Sequence, residues 1–206
     1  MRAHGWSGRP PADAEEARTR ILAATRTRLS AAGTTSTSEI AEVLGVTRQT
    51  IYRYFPTTDD LLDAASLDAA NDLQEHLISH VVSHLDGSGD AADAAVEAVA
   101  YVYEHLRDDP ALNRLLAPGR ISSTTAALTA PSSIAIGGKL LGGLGVDWSG
   151  VGLAEDDQLE LVEHLLRTLQ SLVLDPGDPP RTGDELRAYL RRWVAPALRT
   201  HAGGTS

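Results

Sequence analysis

The chain has 206 residues and no cysteine. That excludes disulfides and thiolate metal centres, so packing and polar contacts alone must hold the fold. No run of about 18 apolar residues occurs, and no membrane-spanning helix is expected. The N-terminal MRAHGWSGRPPADAEE lacks the apolar stretch of a signal peptide, so a cytoplasmic location is expected. No stretch alternates apolar and polar residues in the manner of a strand. There is no GxSxG, no thiol nucleophile and no clear acid–base pair, so an enzyme is not expected and no cofactor is predicted. The segment GGKLLGG at 137–143 superficially resembles a phosphate loop, but Ser133 stands where its first glycine belongs and Leu140 where the hydroxyl residue belongs. Close helix packing explains these glycines better.

Basic charge is carried by arginine; Lys139 is the single lysine, and the net charge is −10. The charge is unevenly placed. The first 60 residues hold eight arginines against seven acids, a net +1, so the rest of the chain carries −11. The acidic part is expected to face away from any phosphate backbone.

The most structured stretch is STSEIAEVLGVTRQTIYRYF at 36–55. Ser36 with Glu39 three residues on makes a capping box, and Ile40, Val43 and Leu44 are expected on one apolar face. Gly45 suits a helix stop, and Thr47 is a second N-cap. Ile51 and Phe55, four apart, give the next helix one buried face, leaving Arg48, Gln49, Thr50, Tyr52 and Tyr54 outward. Those residue types make base-edge and phosphate contacts.

Around it the chain reads as all-α. Residues 1–12, with two glycines and two prolines, are expected to be a flexible arm. A first helix follows over 13–32, with Asp13 as its cap and Gly33 as its stop, Ile21, Leu22, Ala24, Thr25 and Leu29 inward and Arg18, Arg20, Arg26 and Arg28 on its other faces. A long helix is predicted over 58–85, capped by Thr57 or Thr58, with the stripe Leu61, Leu62, Ala65, Ala69, Leu73, Leu77, Val81 and Leu85. Further helices are predicted over 91–107 and 110–116, then weakly specified pieces at 118–131 and a glycine-interrupted apolar run at 134–144. Two apolar-striped helices at 155–174 and 182–199, joined by DPGDPPR, form an expected antiparallel hairpin that suits a dimer-forming bundle.

ILAATRTRLSAAG followed by SEIAEVLGVTRQTIYRYFPTTDDLL resembles the N-terminal domain of the TetR family of bacterial transcriptional regulators, over about 18–65. The resemblance implies a three-helix helix-turn-helix DNA-binding domain at 13–56 and a larger helical effector-binding and dimerisation domain at 57–202. It implies a homodimer, joined through about 155–199, that binds a palindromic operator and is released by an unknown small molecule. The runner-up readings are an effector-independent regulator or an activator, with a metal-sensing variant behind them. Three features depart from the family. The link from Gly33 to Ser36 is short, Leu29 replaces a common aromatic residue, and Thr58 stands where a phosphate-contacting lysine is usual.

The expected DNA contacts are Ser36, Thr47, Tyr54 and Thr58 to phosphates, and Arg48, Gln49, Thr50 and Tyr52 to bases. Candidate effector contacts are His76, His80, Tyr101, His105, Asn113 and Trp148. His76, His80 and His84 recur every four residues, but the row drifts around the helix and no metal site is predicted. With Thr58 in place of lysine, binding should depend less steeply on salt, by about one unit of slope per half-site in log affinity against log salt. A salt titration of operator binding measures it.

Overall fold

The computed structural model describes residues 5–85, 90–116 and 127–202. All regular structure among these residues is helical: α1 (Ala14–Ala32), α2 (Thr37–Leu44), α3 (Arg48–Tyr52), α4 (Thr58–His84), α5 (Ala91–Asp108), α6 (Pro110–Asn113), α7 (Pro131–Gly142), α8 (Glu155–Leu174) and α9 (Gly183–Ala202). Single 3-10 turns lie at Trp6–Gly8 and Arg114–Leu116. No helix of the described residues is long and apolar enough to cross a membrane. Much of the 118–131 segment lies outside the described residues.

The chain forms two compact units, Met1–Asp72 with Asp108–Leu115, and Leu73–Arg107 with Leu116–Ser206. The division falls within α4, later than the expected boundary at 56–57, and α6 joins the first unit. Side chains explain why. The buried Ser66 hydroxyl donates to the Ala111 carbonyl at 2.7 Å, and Arg114 donates to Asp59 at 2.7 Å and Asp63 at 3.3 Å. These bonds fasten α6 and its 3-10 extension to the first half of α4.

The first unit is built around Ile21, Ile40, Ala41, Ile51, Phe55 and Leu61. Its caps form as the residue types dictate. Asp13 accepts from Glu16 N–H, Ser36 and Glu39 complete a capping box, and Gly33 and Gly45 end their helices at φ of 71° and 65°. Thr57, rather than Thr58, caps α4, accepting from Asp60 N–H while Asp60 accepts from Thr57 N–H. Val43 is 50% exposed, against expectation. The core face of α2 is centred between Ile40 and Ala41, and Val43 lies roughly 110° around the helix from it. The flexible arm is also corrected for its described part. Trp6 packs against the first unit's core, and the turn it begins is closed by Arg9 N–H donating to the Trp6 carbonyl at 3.0 Å. Burial of the indole offsets the backbone strain at Trp6, whose φ is 62°.

In the second unit, every predicted stripe residue of α4 from Leu73 to Leu85 is buried, as are Val96, Val99, Tyr103 and Leu106 of α5. Helix α7 packs on α8 through its glycines. A Cβ on Gly137 would come within 2.5 Å of Val162 Cγ1, and one on Gly138 within 2.9 Å of Leu159 Cδ2. The run GGKLLGG is thus a packing surface. Replacing Gly137→Val should lower stability by about 2 kcal/mol through overpacking. Val162→Ala in the same chain should restore part of it, as read by denaturant titration of both variants.

Candidate nucleic-acid interface

Five residues make α3 barely more than one turn, too short to be helical alone. Three things hold it. Thr47 Oγ accepts from Thr50 N–H at 3.1 Å at its start. Ile51 is fully buried on its inner side. Beyond its end, Phe55 is 2% exposed in the same core. The opposite side is therefore forced outward.

Arg48 and Gln49 are exposed, Tyr52 is 45% exposed, and none has a side-chain hydrogen-bond partner among the described residues. Their polar heads are available to another molecule. The remaining expected DNA contacts are engaged to different degrees. Thr47 and Thr50 hydroxyls share one hydrogen bond at 2.9 Å, and Thr37 and Thr58 another at 2.8 Å, so each pair keeps one hydroxyl proton unused. Tyr54 Oη accepts from Arg53 at 2.8 Å and keeps its own proton. Ser36 is fully occupied. Its hydroxyl accepts from Glu39 N–H and donates to the Glu39 carboxylate, which also accepts from Ser36 N–H. Ser36 thus serves the cap and has no spare donor for a phosphate.

The α1 arginines, expected only as outward charge, are tethers. Arg18 donates to the Tyr54 carbonyl at 2.9 Å and lies over the Phe55 ring at 4.4 Å. Arg20 pairs with Glu16, Arg26 with Asp68 and Asp72, and Arg28 with Glu39. Spacing along one helix could reveal only the Arg20–Glu16 pair, four apart on α1; the other partners lie on other elements or in the loop after α3. Acidic Asp59 beside the start of α4 is partnered by Arg114.

An outward-facing short helix, fixed by a two-residue apolar anchor and preceded by a capped helix and an αL glycine, defines a helix-turn-helix protein of the DNA-binding regulatory class. Residues 21–65 match the family described as bacterial regulatory proteins, tetR family. The matched segment spans the helix-turn-helix of the first unit. Among solved structures it is similar to the TetR family repressor AlkX from Dietzia sp., implicated in biodegradation of n-alkanes, at 21% identity and a TM-score of 0.55, covering 89% of this chain and 95% of that one. It is also similar to a TetR/AcrR family transcriptional regulator from Thermobifida fusca, at 20% identity and a TM-score of 0.51, covering 86% and 95%. These likenesses show a shared fold. No curated protein matches the chain.

The six effector candidates are not one site. Trp148 is 4% exposed, with its indole N–H donated to the Leu141 carbonyl at 2.9 Å, so it serves the core. Asn113 lies exposed in the first unit, and His76 is exposed on α4. His80, Tyr101 and His105 do converge: Tyr101 stacks on His80 at 4.1 Å and lies 3.9 Å from His105, centroid to centroid. Behind them stands Glu97, only 2% exposed. It accepts two bonds from Arg187 at 2.7 Å each, and its carboxylate lies 2.8 Å from His80 Nε2 and 3.5 Å from His84 Nε2. Arg187 also pairs with Glu104. Glu97 and Arg187 were missed; the available signal was an acid three residues from both Ala94 and Ala100, inside an apolar arc of α5. Among the described residues no group of three or more His, Asp and Glu is placed to hold a metal ion.

Burial raises the Glu97 pKa, but the Arg187 hydrogen bonds, then that of His80 and the Arg187 and His84 charges, hold it below its usual 4.5. A depressed carboxylate stabilises the fold above its unfolded pKa, and that stabilisation is lost as pH falls through the folded pKa. Glu97→Gln should therefore cost about 2 kcal/mol at neutral pH, and the gap to the native chain should close as pH falls below the usual 4.5 and through the depressed folded value. Calorimetric melts from pH 7 to pH 3 measure both.

Proposed function

We propose that the protein is a homodimeric transcriptional repressor that reads an inverted-repeat operator and is released by a small molecule. The observation that carries the DNA reading is the outer face of α3, where Arg48, Gln49 and Tyr52 have no side-chain hydrogen-bond partner among the described residues while Ile51 is buried behind them. Arg48 has the fork for guanine O6 and N7, Gln49 suits adenine, and Thr50 or the Tyr52 ring suits a thymine methyl. Thr47, Tyr54 and Thr58 are placed for phosphates, which set register. Ser36 acts through the α2 cap.

Pairing of two chains is supported by exposed apolar side chains of α8 and α9: Trp193 is 67% exposed and Leu174 51%. His164, Arg167, Tyr189 and Trp193 line a groove of about 300 Å³ there. A two-fold partner would cover it and set two copies of α3 about 34–36 Å apart, one turn of DNA. The repressor mode follows the Dietzia neighbour, and the protein acts in the cytoplasm without catalysing a reaction. An effector would act by its differential affinity for DNA-competent and incompetent forms. Its polar contacts in this reading are His80, Tyr101 and His105.

Selection of bound sequences from random DNA should enrich an inverted repeat. On that duplex, Arg48→Ala and Gln49→Ala should each lose roughly tenfold or more in affinity with unchanged thermal midpoints. Trp193→Glu should shift the chain to a monomer in sedimentation and weaken binding further. Enrichment of no sequence would end the DNA reading, and a Trp193→Glu chain that stays dimeric would move the interface elsewhere.

A further inference from the structure

We propose that Arg18 is a positioning residue for sequence reading: it sets the pitch of α3 from outside the recognition motif. The inference rests on α3 being the DNA-reading element. Arg18 sits in the second turn of α1, 36 positions before its partner and outside the 21–65 segment that matches the family.

The geometry is specific to the point where α3 needs support. Its start is capped by Thr47 and its middle is anchored by Ile51, but its last carbonyls run out of helical partners. The chain leaves α3 through Tyr54 and Phe55. Arg18 Nη1 donates to the Tyr54 carbonyl at 2.9 Å, and the central carbon of the same guanidinium stands over the Phe55 ring, 4.4 Å from its centroid. One planar group thus holds a backbone oxygen and an aromatic face on consecutive residues. On the neighbouring side, Arg53 donates to Tyr54 Oη at 2.8 Å and lies 4.9 Å from its ring centroid. Tyr54 is held at its carbonyl by α1 and at its ring by Arg53.

The consequence for function is a matter of leverage. Arg48 and Gln49 lie one to two turns before this tether. A short helix hinged on Ile51 alone can rock, and base-edge hydrogen bonds tolerate little displacement, whereas phosphate contacts accept a looser fit. Losing the tether should therefore weaken specific binding and spare nonspecific binding. A lysine cannot substitute, because it offers a point charge and no planar face.

The test uses the full chain with Arg18→Lys and Arg18→Met, each titrated against the duplex enriched by the native chain and a scrambled duplex, over a range of salt. Both variants should lose about tenfold on the enriched duplex, bind the scrambled one within about twofold of the native chain, and keep the native salt slope. Amide hydrogen exchange over residues 48–55 should quicken in both, without DNA. If Arg18→Lys binds like the native chain while Arg18→Met loses about one unit of salt slope per half-site, Arg18 is a phosphate contact and the proposal fails. If both variants bind both duplexes as the native chain does, it also fails. Should Arg18→Met not fold, the lysine variant and its exchange rates decide alone. Should the native chain enrich no sequence, the DNA reading falls, and this inference with it.

Discussion

The burial of Ile51 and Phe55 is the constraint on which the first unit depends. A five-residue helix has no stability of its own, so α3 exists because one side of it fills a core already lined by Ile21, Ile40 and Leu61. The same burial decides which side faces out. Arg48, Gln49 and Tyr52 are presented to solvent because Ile51 cannot be. Structure and recognition are thus set by one apolar contact, and the local devices around it refine its geometry: the Thr47 cap, the Gly45 stop and the Arg18 tether.

Charge is used sparingly in this molecule. The chain is acidic overall, and four arginines of α1, which a sequence count credits to DNA attraction, are engaged with protein partners. Long-range attraction is correspondingly modest, and Thr58 adds none. On the proposed function, affinity for DNA then depends on well-placed short-range contacts more than on bulk charge. That places a premium on holding α3 still, and of the α1 arginines Arg18 is the one that reaches its exit.

The second unit is organised by a different polar device. Glu97 is buried in an apolar arc of α5 and would be costly there alone. Arg187 meets it with two hydrogen bonds, and His80 closes the other side. The pair joins α5 to α9, while the glycines of α7 bring that helix onto α8. The Tyr101 ring stacks on His80 beside this charge cluster and lies tilted against His105.

Much of this was legible in the residues themselves, because the signals are local. Caps at Asp13, Ser36, Thr47 and Thr57, stops at Gly33 and Gly45, and the apolar stripe of α4 each depend on neighbours within a few positions. The helix-turn-helix and its outward residues follow from the spacing of Ile51 and Phe55. The tertiary structure alone decided matters set by residues far apart. It drew Trp6 onto the core, turned Val43 to solvent, committed Trp148 to packing and Ser36 to its cap, and moved the unit boundary into α4 through Ser66 and Arg114. It also gave Arg18, Arg26, Arg28 and Glu97 their partners, which stand 11 to 90 residues away in the chain. A side chain's type and period record what it can do; which partner it meets depends on how distant helices pack.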